Sequence, residues 1–156
     1  MRNDDLQLHA GEREYWTNLA SAVVAVVGRG AKHHLFCHNA ISSDGPFGVL
    51  LAMPGVTFAV HAGTPVDVAI AHLARATVLV HSGSSFSLAA GLLAPPRGLV
   101  QLAPLPKEFV WGREKGEAAA AAYFLDGTVK IELDGSLSTA LAAHFAARFA
   151  EVHRYK

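Results

Sequence analysis

The sequence predicts an α/β protein: one domain spanning residues 1–156, built on a parallel sheet with helices on both faces. Three observations point there. Short β-branched and aliphatic runs alternate with longer segments of helical periodicity, the pattern of strand–helix–strand units with right-handed crossovers. Several of those runs are apolar throughout, as strands covered on both faces must be. With 51% hydrophobic and 17% charged residues, the chain has enough apolar material to bury a core.

The elements follow in order. Residues 12–27 (EREYWTNLASAVVAVV) repeat apolar positions at helical spacing and stop at Gly28 and Gly30. Residues 34–37 (HLFC) are the first strand, followed by a polar loop over 39–45, and residues 47–53 a short helix broken by Pro54-Gly55. A second strand covers 56–60 (VTFAV). Thr64 and Pro65 then suit the N-cap and first turn of a helix over 66–75. A third strand, 77–80, runs through His81-Ser82-Gly83 into a helix capped by Ser84 or Ser85 and ending near Leu93. Pro95-Pro96 forces the chain off that helix, and residues 99–102 form a fourth strand. Residues 105–111 read as an irregular connection and 114–122, rich in alanine, as helix. Asp126-Gly127 between 123–125 and 128–133 signals a hairpin. Residues 136–152 close the chain as an amphipathic helix with Leu137, Leu141, Phe145 and Phe149 on one face.

Composition narrows the functional classes. Thirteen basic against thirteen acidic residues, scattered along the chain, speak against nucleic acid as partner. The lone Cys37 excludes an internal disulfide and reads as core packing. The polar MRNDD start is no signal peptide, no apolar stretch is long enough to span a bilayer, and the compartment stays open.

The chemistry concentrates around residues 71–93. A strand feeding a Ser/Gly turn and a helix leaves backbone N–H groups and a positive dipole end at the strand's carboxyl edge, which suits a phosphate; the plainer reading is a routine serine cap. His38, His61 and His81 each follow the last apolar residue of a predicted strand. In one parallel sheet all three would open into the carboxyl-end crevice where ligands bind, to meet phosphate or sugar hydroxyls or to act as acid or base; otherwise they are solvated loop residues. No metal site is expected, because carboxylates that would support a three-histidine centre are not evident. His33, His72, His144 and His153 read as surface residues. Asp44 or Asp67 would hold a ribose or sugar hydroxyl, with Asp67 also placed to favour a helix dipole. No G-x-S-x-G elbow, phosphate-binding Walker loop or G-x-G-x-x-G is present, so no catalytic residue is assigned.

The run from Val56 to Leu93, with its apolar strand and His61, the segment AHLARATVLV and then SGSSFSLAAGLL, resembles the carboxyl-terminal nucleotide-sugar-binding half of GT-B-type glycosyltransferases, closest to fucosyltransferase-like proteins. Counted with Tyr15, Asn18-Leu19 and the strand 34–37 upstream, which sit where that family places a helix and a strand, the likeness covers about two thirds of the chain, and its specific part is the serine segment. It implies a Rossmann-like domain binding a nucleotide-sugar donor, a GDP-sugar such as GDP-fucose, for transfer to a glycan acceptor without metal or other cofactor. Ser82, Gly83, Ser84, Ser85, Phe86 and Ser87 match the donor segment, which implies Ser84 and Ser85 on the diphosphate and Phe86 packing the helix start. Arg2 with Asp4 or Asp5 would be the remnant of a donor-binding strand, Arg2 pairing with phosphate. Thr77 stands where the family has Asp, and the acceptor-side domain has no counterpart here, so the resemblance implies half a transferase. A eukaryotic enzyme of this kind would work in the Golgi lumen. Two alternatives remain: a truncated or degenerate non-catalytic α/β module, and a sirtuin-like dinucleotide binder, whose Gly-Thr-Ser turn the strand followed by G-S-S is similar to.

Overall fold

The computed structural model describes residues 3–81, 85–95, 99–104, 128–132 and 134–154. The chain is a mixed α/β protein with small parallel sheets, and it divides into two compact units: Met1–Pro65 with Asp134–Ser136, and Val66–Leu133 with Leu137–Lys156.

The first unit holds α1 (Asn3–Val27), β1 (His33–Cys37), α2 (Gly48–Leu51) and β2 (Phe58–Ala62). Helix α1 starts nine residues before the sequence predicts, in keeping with Asn3, Asp4 and Asp5, residue types that favour the positive end of a helix. Asp4 and Asp5 are therefore helical, not the remnant of a donor-binding strand, and Arg2 lies outside the described residues. The helix ends where expected: Gly28 takes φ +86° and its N–H donates to Val24 O at 2.9 Å, the left-handed stop that glycine adopts without steric cost. Helix α1 packs on α2, with Trp16 and Phe47 ring centroids 4.8 Å apart. Arg13 Nη1 donates to the carbonyls of Ser43 and Gly45, tying the loop before α2 to α1.

Strands β1 and β2 pair in parallel, His33 opposite Phe58 and Cys37 opposite Ala62. The second strand sits two residues later than predicted. Val56 is buried ahead of it, and His61 lies within the strand instead of following it.

The second unit holds α3 (Val66–Ala74), β3 (Val78–Val80), α4 (Ser85–Leu93), β4 (Val100–Pro104), β5 (Val129–Ile131) and α5 (Thr139–Arg154). The sheet order is β3-β4-β5, all parallel, with Val78 opposite Val100 and Leu102 opposite Val129. Leu102, Ile131, Val100 and Val129 are fully buried, and in β5 the exposed Lys130 between Val129 and Ile131 marks the strand's other face. Leu79, Ala90 and Leu99 form a core cluster joined by Ile70, Leu73, Ala76 and Ala94, so β3 is packed by residues from α3 and α4. Helix α5 begins after Ser138, whose Oγ accepts the Leu141 N–H at 3.4 Å as an N-cap, and packs on β4 and β5 through a face that includes buried Phe145.

Two expectations change. The four predicted strands do pair in parallel, but as members of a two-stranded and a three-stranded sheet, not of one. With the second strand displaced, β1 and β2 carry His33, His34 and His61 in place of a continuous apolar run, and both faces keep exposed positions, Val60 at 41% among them. The segment expected as a hairpin arm, β5, pairs in parallel with β4; its supposed partner, residues 123–125, lies outside the described residues, as do the irregular connection over 105–111 and the alanine-rich segment 114–122.

Candidate functional site

Because β3, β4 and β5 run parallel, their carboxyl ends share one edge, and α4 starts beyond β3 at that edge. His81 is the first residue past β3. Its backbone N–H donates to Leu102 O at 2.8 Å, continuing the ladder, and its side chain is 5% exposed. Nε2 lies 2.8 Å from Gln101 Oε1 on the neighbouring strand. An amide oxygen only accepts, so Nε2 carries the proton and the neutral ring leaves Nδ1 as its acceptor. Helix α4 meets this pair at Gly91, where a Cβ would stand 2.4 Å from Gln101 Oε1 and 3.2 Å from His81 Cε1. A side chain at this position would have to displace the Gln101 amide from His81.

Burial pushes the His81 pKa down, opposed in smaller measure by the Gln101 hydrogen bond. The unfolded chain takes up a proton on His81 as the pH falls through its ordinary value of 6.5, whereas the folded chain does so only at lower pH. Stability is therefore complete above that value and falls as the pH drops below it. Urea midpoints measured between pH 7.5 and 5 should decline more steeply for the wild type than for His81→Gln, which keeps a polar group toward Gln101 but does not titrate. Parallel declines in the two proteins would show that His81 contributes nothing to the acid sensitivity.

The serine segment is only partly described. Ser82, Gly83 and Ser84 lie outside the described residues, Ser85 opens α4, Phe86 is half-buried and Ser87 is buried at 5% exposure. The other two candidate histidines belong to the two-stranded sheet: His38 is exposed immediately after β1, and His61 is half-buried inside β2. Strands share a carboxyl edge only within one sheet, and β1 and β2 belong to a different sheet from the strand that leads into His81. His33, expected at the surface, is half-buried against Phe58, ring centroids 5.3 Å apart, with its Nε2 buried and unpartnered. Cys37, expected in the core, is half-buried with Sγ 3.9 Å from His61 O. Asp44 is exposed and engaged with its own loop, its N–H donating to Ser42 Oγ, and Asp67 lies in the first turn of α3.

Sequence reasoning missed Gln101, Gly91 and His34. Gln101 carries a signal in retrospect: it is the polar interruption of an otherwise apolar run, LVQLA, and a polar residue in a buried strand needs a buried partner. Among the described residues no group of three or more His, Cys, Asp or Glu side chains could hold a metal ion, and no helix is long and apolar enough to cross a membrane. No family model matches the chain, and neither the curated proteins nor the solved structures contain a match to it.

Proposed function

We propose that this chain is a Rossmann-like binding module for a nucleoside diphosphate, the donor-nucleotide part of a GDP-sugar, taken up at the carboxyl edge of β3-β4-β5. The observation that carries the reading is the unit β3–α4–β4, two paired parallel strands joined through a helix that starts at the strands' carboxyl ends. A helix start in that position offers main-chain donors and a dipole to a diphosphate, and the serine-rich sequence from Ser82 to Ser87 adds hydroxyl donors. The resemblance to fucosyltransferase-like donor domains supports the same ligand. Transfer to a glycan acceptor needs that acceptor held in line beside a base, an arrangement that can lower a barrier by roughly 7–11 kcal/mol. The module by itself is therefore expected to bind nucleotide with little or no sugar turnover.

Calorimetric titration with GDP tests this. The wild type should bind, and Ser85→Ala should weaken binding by about 1–3 kcal/mol, the usual cost of leaving a charged partner without its hydrogen bond. No binding by the folded wild type, or equal affinity in the variant, would make Ser85 an ordinary first residue of its helix. A second reading, a non-catalytic α/β module, draws on His81: its ring is buried and engaged with Gln101, a placement that serves packing at least as well as catalysis.

A further inference from the structure

The two-stranded sheet brings together two imidazoles that the proposed nucleotide module does not use. In β1, His34 and Phe36 alternate onto one face, and the register sets His61 opposite Phe36, so His34 and His61 are diagonal neighbours on that face. His34 Nδ1 and His61 Nε2 are 2.9 Å apart. Phe36 stacks on the His61 ring with centroids 4.4 Å apart and planes 8° from parallel, fixing that ring's orientation. His34 is exposed and His61 half-buried, so the pair is open to solvent on one side and held on the other.

We propose that His34 Nδ1 and His61 Nε2 form a two-imidazole site for one divalent first-row transition-metal ion of the Ni²⁺ or Cu²⁺ type, its remaining positions filled by water. The separation at rest is already close to what such an ion needs. With metal–nitrogen bonds of roughly 2.0–2.1 Å, nitrogens this far apart subtend about 90° at the metal. That is the angle between adjacent ligands in square-planar or octahedral coordination, which Cu²⁺ and Ni²⁺ favour, whereas a tetrahedral Zn²⁺ site spreads its nitrogens to roughly 3.3 Å. In the metal-free pair one nitrogen donates a proton to the other. Binding moves that proton to the distal nitrogen of the same ring, leaving two lone pairs for the metal. The His34 ring, which lies against His61 with centroids 5.2 Å apart and planes 22° from parallel, turns to bring its lone pair onto the ion, while His61 is held by Phe36.

Two ligands on adjacent strands act as a chelate, the second binding at high effective concentration once the first is engaged. Titration of the full chain with Ni²⁺ by calorimetry should therefore give one site in the wild type, weakened roughly tenfold or more in His34→Asn and in His61→Asn, and unchanged in His144→Asn, which alters an exposed histidine on α5. A second measurement uses unmutated protein and covers the case in which a variant does not fold. Substoichiometric Cu²⁺ should broaden the ring resonances of His34 and His61 before those of the other histidines. Equal affinities across the wild type and all three variants, or first broadening at other histidines, would overturn the assignment and leave an adventitious ion only. GDP binding through the second sheet is a separate measurement, so either reading can fail without the other.

Discussion

Gly135→Ala is expected to destabilise the first unit by about 3–5 kcal/mol, among the largest effects a single methyl group can have. Two independent causes act at this position. Gly135 has φ +81°, a left-handed conformation that costs a residue with a Cβ roughly 1–2 kcal/mol. A Cβ built there would also lie 2.1 Å from the carbonyl oxygen of Tyr15 on α1. That neighbour is main chain, so relief requires moving the helix or the turn, and the adjacent anchor would be disturbed with it: Asn18 Nδ2 donates to Asp134 O at 2.9 Å, and Ser136 N–H donates to Asp134 Oδ1 at 2.9 Å. Gly30→Ala is the matched comparison. Nothing lies within 4 Å of a Cβ at Gly30, and the change there should stay within about 0.5 kcal/mol. Denaturant unfolding of the two variants beside the wild type decides it, and similar midpoints for both would remove Gly135 from its place as an anchor of α1.

Phe145→Ala should cost about 3–5 kcal/mol, the usual range for emptying a fully buried aromatic position. Phe145 is completely inaccessible to solvent on α5, the helix that packs on β4 and β5, and its ring meets Phe149 with centroids 6.5 Å apart in an edge-on arrangement. The loss combines the transfer of the ring from water with a cavity over strands whose own side chains, Leu102 and Ile131, are fully buried and have little room to collapse into it. Phe149 is only half-buried and stacks on His153 with centroids 5.7 Å apart, so Phe149→Ala should cost distinctly less. Equal losses in the two variants would show that α5 is held by its flank as much as by Phe145.

Local rules made some of these positions readable. The stop at Gly28, the succession of β3 and α4, and the core face of α5 around Phe145 all follow from capping and periodicity within one short window. The expected second strand, VTFAV, is the better apolar run, while the strand that forms, FAVHA, lies two residues on and includes a histidine whose ring rests on Phe36. Pairing register between parallel strands is set by contacts far along the chain, so neither the diagonal His34–His61 pair nor the union of β5 with β4 leaves a mark in any single window. The same limit applies to His81: its position after a strand was legible, but its burial depends on Gln101 and on the close passage of Gly91.

Among the described residues all strand pairing is parallel, and this also sets the order of events as the chain folds. Each ladder joins residues more than twenty positions apart: His33 with Phe58, Val78 with Val100, Leu102 with Val129. Two-residue hairpins can close early because little chain entropy is lost, but these ladders must gather long loops before the first interstrand bond forms. Helices can form on the submicrosecond scale, so α3 and α4 have the opportunity to appear before β3 meets β4. Until then the apolar faces of β3 and β4 stay uncovered, and the interval before their union is when this chain is most exposed to association with its own copies.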